Sequence, residues 1–179
     1  MRGLAPHTGR IFDAVCKMEC IKPYVLVRGT ALSMQIDTRQ SEDLDFMCWQ
    51  QIKGRPMEMA WSKIEKELQT IGEVQKVDIL DIDHVEFVVS GVKISFYACS
   101  KPAPRNLKPV HKQDNMYMAD VATIGMMKME VMLRRSNFRD YYDIYSILKH
   151  GVSLQLMIDG ALDYSQHRLK TKNPFGNAD

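Results

Sequence analysis

No apolar stretch in this chain approaches the ~18 residues that a membrane-spanning helix requires. The opening residues, MRGLAPHTGR, lack the apolar centre of a secretory signal and predict a cytoplasmic protein. Cysteine is sparse: its four residues, Cys16, Cys20, Cys48 and Cys99, contain no C-x-x-C pair. Scattered thiols of this kind predict reduced core side chains in a reducing compartment. The five histidines form no His-x-x-x-His or His/Cys cluster, which argues against zinc. Neither sign of charge is in excess. A net charge of +2 sets up no global basic field, so any contact with nucleic acid must come from local patches. There are no repeats and no low-complexity tracts.

What is present suits a globular domain with a real core: 179 residues, 45% of them hydrophobic. Thirteen methionines, with Met126, Met127, Met129 and Met132 crowded together, read as flexible core filler rather than a ligand groove. Residues 8–20 read as a helix with Ile11, Phe12, Val15 and Met18 on one side, ended by Pro23. Tyr24 to Val27 reads as a short strand, Thr30 to Ile36 as a helix opening on Gly29, and Leu44 to Cys48 as a strand. Pro56 to Ile71 reads as a helix with proline in its first turn and Gly72 just past its end. Residues 73–98 are rich in β-branched and aromatic side chains. Turn residues at Asp81-Ile82-Asp83 and Ser90-Gly91 divide them into a three-stranded meander. Lys101 to Gln113, with three prolines, reads as a loop or an interdomain linker. Helices follow at Met118 to Arg135, Phe138 to Lys149 and Leu154 to Tyr164. The fold class is therefore α+β: a small mixed sheet with packed helices, followed by a helical C-terminal half. Residues 1–100 form the core, 114–165 pack on it as part of one unit, and 166–179 form a loose polar tail.

Two constellations carry chemistry. In Ser41-Glu42-Asp43-Leu44-Asp45-Phe46, side-chain alternation places Asp43 and Asp45 on one face and Leu44 and Phe46 on the other. The apolar pair can anchor a strand while the carboxylates form a hard-oxygen site, of the kind Mg²⁺ shares with substrate phosphates. Upstream, Gly29-Thr30 follows an apolar run and opens a helix, where bare backbone N–H groups can meet a phosphate. The second constellation is Lys128, flanked by Ile124, Gly125, Val131 and Met132, with Asp140 and Asp143 in the next helix. Its ammonium either snorkels to water or reaches a polar site as a point charge for phosphate. Gly125 leaves room beside it. Replacing Lys128 with methionine keeps the stem and is expected to cost little stability.

The words RGTALSMQIDTRQSEDLDF closely resemble the AbiEii/AbiGii toxin family of polymerase-β-like nucleotidyltransferases. Members of that family typically read Gly-Gly-Thr-Ala-Leu, then Arg-x-Ser-x-Asp-Leu-Asp-Phe. They also carry a Met-Lys helix and an Arg-Asp-x-x-Asp helix, matched here by ADVATIGMMKMEVMLRR and FRDYYDIYSILKHG. The resemblance implies transfer of a nucleotide from an NTP to an acceptor, with Mg²⁺ or Mn²⁺ on Asp43 and Asp45. Gly29, Thr30, Arg39, Ser41 and Arg139 would bind nucleotide, and Lys128, Asp140 and Asp143 would join the two aspartates in catalysis. Asp140 and Asp143 would orient Lys128 and Arg139, or position the acceptor. The resemblance also implies a bacterial toxin–antitoxin setting, with an RNA such as tRNA, or a protein, as acceptor and a cognate antitoxin as partner.

Two positions depart from the family pattern. Arg28 stands where the family has its first glycine, and either blocks backbone approach of the phosphates or adds a cation for them. Ser95 stands where many nucleotidyltransferases place a third carboxylate, and serine is a poor metal ligand and base. Glu86 on the preceding strand is a candidate substitute. These departures keep open an alternative: a catalytically degenerate member that binds nucleotide or a partner protein.

Overall fold

Alternating apolar residues from Val74 to Cys99 build the three strands the sequence predicts, and two tight turns keep them antiparallel. A computed structural model describes residues 2–50, 59–132 and 137–165. Its elements run α1 (Pro6–Cys16), β1 (Val25–Val27), α2 (Arg28–Ile36), β2 (Leu44–Trp49), α3 (Trp61–Ile71), β3 (Val74–Asp81), β4 (His84–Val89) and β5 (Val92–Cys99). They continue with β6 (Val110–Gln113), β7 (Met116–Met118), α4 (Val121–Met132), α5 (Phe138–Lys149) and α6 (Leu154–Ser165). Among the described residues the strands form one mixed sheet in the order β3-β4-β5-β2-β1-β7-β6. β2 lies parallel to β5 and β1 parallel to β7; the other neighbours are antiparallel.

The two faces of the sheet differ as the alternation dictates. Val85, Phe87, Ile94, Phe96, Leu44 and Phe46 are buried on one face. Phe46 stacks on Phe96 at 5.1 Å, and Tyr24 meets Phe96 edge-on at 5.2 Å. Phe12 and Val15 from α1 and Ile64 and Leu68 from α3 join this core. Cys16, Cys20 and Cys48 are buried as well, and desolvation pushes the Cys16 and Cys20 thiols up to about 12. The opposite face carries Asp45, Ser95, Tyr97, Glu86 and His84, and it is the face that holds the candidate site.

Four boundaries differ from the sequence reading. The first helix covers Pro6–Cys16, with proline at its first turn, and does not reach residue 20. Asn115 is the reason: its backbone N–H takes the Cys16 carbonyl at 2.9 Å, and its side chain takes the Lys17 and Met18 carbonyls. The stretch assigned to a loop or linker ends in strand β6, whose Val-His-Lys-Gln sequence is mostly exposed and carries no apolar alternation. The β6–β7 hairpin returns the chain to the sheet beside β1, with Leu26 opposite Met118. Met118 is therefore a strand residue, and α4 begins only at Val121. Asp120 caps it, accepting the Thr123 N–H at 3.0 Å and the Thr123 hydroxyl at 2.7 Å. The third helix begins at Trp61, after Met59 and Ala60; its expected start at Pro56 lies outside the described residues, as do 133–135 and the tail 166–179.

Helix α4, apolar nearly all round, packs against α2, α5 and α6. Gly125 makes room for Met157 of α6, not for Lys128: a Cβ there would collide with the Met157 sulfur.

Asp120 also accepts the Lys108 N–H at 3.0 Å, so one carboxylate ties the long loop to the helix start. Asp120→Ala is expected to lower unfolding stability by about 1–2 kcal/mol. Urea denaturation followed by far-UV circular dichroism measures this, and an unchanged midpoint would show that the cap contributes nothing.

Candidate active site

β1 ends beside β2, with Val27 opposite Asp45, and the chain turns directly into α2. Arg28 makes that turn with φ +62°, a left-handed backbone that glycine adopts freely and arginine rarely does. The Arg28 guanidinium lies over the Tyr97 ring at 4.4 Å. Its Nη1 donates to Asp45 Oδ1 at 3.1 Å and to the Tyr97 hydroxyl at 2.9 Å. Burial pushes the Asp45 carboxyl above the ordinary aspartate range. Arg28 pulls it back, and the neighbouring Asp43 pushes it further up. A buried carboxylate in this setting favours a cation beside it, and Arg28 supplies one.

The remaining loop residues are held by α2. The Thr30 hydroxyl bonds the Ser41 hydroxyl at 2.8 Å and donates to the Asp43 carbonyl. Thr30 and Ser41 are both buried, so their hydroxyls brace the segment that presents Asp43. Gly29 lies under Arg39: a Cβ would stand 2.5 Å from Arg39 Nη2. Its missing side chain thus admits an arginine of the protein itself.

On the strands beyond β2 the register settles which groups face the site. Asp45 pairs with Ser95, and Ser95 pairs with Glu86, so all three point to one face. Ser95 donates to Glu86 Oε1 at 3.3 Å. Glu86 therefore faces the right side, yet two strand spacings, roughly 9–10 Å, separate its backbone from that of Asp45. Among the described residues no three His, Cys, Asp or Glu side chains are grouped to hold a metal ion. Asp43 and Asp45 nonetheless fit a hard divalent cation that brings phosphate oxygens with it, because Mg²⁺ takes one or two carboxylates and completes its shell from substrate and water.

Lys128 does not snorkel. Its Nζ lies 3.0 Å from Asp140 Oδ1 and 2.7 Å from Asp143 Oδ2, and its side chain is only 11% exposed. Asp143 is fully buried and also receives a two-pronged contact from Arg39, Nε to Oδ1 at 3.0 Å and Nη2 to Oδ2 at 3.1 Å. The arginine that Asp143 holds is thus Arg39. Arg139 is exposed, and its backbone N–H closes the Asn137 cap of α5. Burial raises the Asp143 carboxyl, but hydrogen bonds from Arg39 and Lys128, and their charges, outweigh it and hold it below the ordinary aspartate range.

A cavity of about 500 Å³ brings Arg28, which bonds Asp45, together with Lys128 and Asp140, with Met47, Ile124, Met127 and Tyr164 also in its lining. The sequence reading assigned no role to Met47 or Tyr164. The Tyr164 hydroxyl accepts from Trp49 Nε1 at 3.0 Å. Tyr97, also unassigned, lies two residues beyond Ser95 on the same strand face, and that alternation was the available clue.

The buried pairing corrects the expectation for Lys128→Met. Removing the ammonium leaves Asp140 and Asp143 with a buried partner missing, which is expected to cost about 3 kcal/mol. Guanidinium denaturation of Lys128→Met, and of Lys128→Met with Asp140→Asn, checks it; the second protein should regain part of the loss. Asp143 sets a pH dependence. Its folded pKa lies below its unfolded value, so its contribution is complete above pH ~4 and fades as pH falls further. The stability difference between wild type and Asp143→Asn should accordingly shrink from pH 5 to pH 3. A difference constant over that range would show that Asp143 is not held ionised by its partners.

Comparisons with known proteins identify the family and the fold. The family described as nucleotidyl transferase AbiEii toxin, type IV toxin–antitoxin system, matches residues 22–179. An uncharacterized protein of Aquifex aeolicus is 25% identical over 157 residues, covering 87% of this chain and 72% of its own. Among solved structures, a protein of H. pylori assigned as a nucleotidyltransferase superposes with a TM-score of 0.58 at 20% identity, over 86% of this chain and 74% of its own. An antigenic nucleotidyltransferase-like protein of Paracoccidioides brasiliensis gives 0.54 at 12% identity, over 92% and 90%. Both share the fold. With a family match over nearly the whole chain and the strand-helix-strand layout it requires, this chain belongs to the AbiEii nucleotidyltransferase toxin family.

Proposed function

We propose that this chain transfers a nucleotide from an NTP to an acceptor, with RNA such as tRNA as the acceptor class, and that it is the toxin partner of a cognate antitoxin. The observation that carries the reading is the meeting on one cavity of Lys128 and Arg28, the residue that opens α2 and bonds Asp45. Mg²⁺ or Mn²⁺ would be held by Asp43 and Asp45 with the triphosphate, and would supply neutralisation of phosphate charge. The first N–H groups of α2, from Gly29 and Thr30, have no partner within the helix and carry its positive dipole end, which suits phosphate oxygens. Lys128 contributes a fixed positive charge at the cavity wall. Asp140 and Asp143 hold that charge in place, and Arg39 in turn locks Asp143.

One observation favours a second reading, a member that binds nucleotide without turnover. Ser95 replaces the carboxylate expected beside Asp45, and Glu86 stands a further strand away.

Incubation with each labelled NTP, Mg²⁺ and total RNA or cell lysate separates the two. The expected result is transfer of label to a macromolecule, reduced more than roughly 10²-fold by Asp43→Asn or Asp45→Asn in proteins that still unfold cooperatively. NTP binding without transfer under any of these conditions would select the second reading. Transfer by either variant at the wild-type rate would remove its aspartate from the site.

A further inference from the structure

Arg28 is an anomaly by three measures. It occupies a left-handed backbone conformation that disfavours every side chain with a β-carbon. It stands where the family resemblance expects glycine. Its guanidinium nevertheless has a built seat: Asp45 Oδ1 at 3.1 Å, the Tyr97 hydroxyl at 2.9 Å, and the Tyr97 ring beneath it. His84 stacks on Tyr97 with ring centroids 4.0 Å apart, which steadies the ring that carries the guanidinium. Loss of a phosphate-loop glycine does not by itself explain a seat made of three separate contacts.

The seat coincides with the carboxylate that a divalent metal would need. A guanidinium donating to Asp45 Oδ1 competes with a cation for the same oxygen. Arg28 is also the more exposed partner: its side chain is 45% exposed, against 10% for Asp45. It lines the cavity shared with Lys128, where a triphosphate would offer it stronger acceptors than one carboxylate oxygen.

Resting on the nucleotide-site reading above, we propose that Arg28 is the resident cation of Asp45 in the nucleotide-free protein, and that divalent metal takes hold there only together with a triphosphate that draws Arg28 away. Free metal ion alone is then a poor ligand. Nucleotide and metal enter as one unit, and the site stays charge-balanced in both states. Arg28 is on this account a positioning and gating residue whose effect is read in the affinity for free metal ion.

Electron paramagnetic resonance of Mn²⁺ with the full chain tests this directly, in wild type, Arg28→Gly and Arg28→Lys, with and without a mixture of non-hydrolysable NTP analogues. Glycine suits the left-handed backbone, so Arg28→Gly should fold, and Arg28→Asn, also tolerant of that backbone, serves as a second variant. Wild type and Arg28→Lys should bind Mn²⁺ alone weakly. Arg28→Gly and Arg28→Asn should bind it roughly tenfold tighter or better, because a competing charge has left. The analogues should raise Mn²⁺ affinity far more in wild type and Arg28→Lys than in the two neutral variants. Equal affinity of wild type and both neutral variants for Mn²⁺ alone, with analogue-dependent binding intact, would overturn the resident-cation proposal and leave the nucleotidyltransferase reading standing. Absence of Mn²⁺ binding in all four proteins even with the analogues would overturn the metal-dependent reading itself, and this proposal with it.

Discussion

The buried carboxylate of Asp143 is the constraint on which the site depends. An isolated charge at full burial is untenable, so its two cations must be present for the fold to tolerate it. Those cations come from distant parts of the chain: Arg39 from the segment between α2 and β2, and Lys128 from α4. The carboxylate therefore fixes α5 against α4 and against the α2–β2 segment at once. Its influence extends further through Arg39. That guanidinium lies where a Cβ on Gly29 would be, and Ser41 beside it joins Thr30 in bracing Asp43. A line of contacts thus runs from a helix in the C-terminal half to the segment that carries Asp43.

The two arginines near the site show what geometry does to the same functional group. Arg39 meets Asp143 through two parallel N–H donors, with the side chain mostly buried, and behaves as a structural clamp. Arg28 meets the buried Asp45 through one nitrogen, with nearly half its own side chain exposed. The first arrangement is a two-pronged clamp; the second is a single contact at the edge of solvent.

Much of this was legible in the sequence, and what escaped has specific causes. The strand bearing Asp45, with Leu44 and Phe46 buried, was legible because alternation needs only local information; Asp43 falls just before it. Helix α5 runs over the expected Phe138 to Lys149, and the structure adds the Asn137 cap at its start, a preference that acts within one turn. Lys128 was visible as a charge among apolar neighbours, but its partners decided its meaning, and the same holds for Arg39, which is 104 residues from Asp143. Strand β6 was missed because an exposed edge strand needs no apolar alternation, only a neighbour to bond with. The first helix was drawn too long because its end is set by Asn115 from the far hairpin, a contact that no helix propensity reports. In each case the failure lies with tertiary contacts overriding local preference.

The left-handed turn at residue 28 sharpens what the glycine of the family pattern means. Close approach of phosphate to bare backbone was one reason to expect glycine there. The φ of +62° provides a second and independent one: the chain must reverse from β1 into α2 at a conformation that glycine adopts without strain. An arginine in this position keeps the turn and accepts the strain. It leaves the N–H groups of Gly29 and Thr30 at the start of α2, since those belong to the following residues. Its side chain departs toward Asp45 and Tyr97. The departure from the pattern therefore changes the charge beside Asp45 while leaving the helix terminus in place.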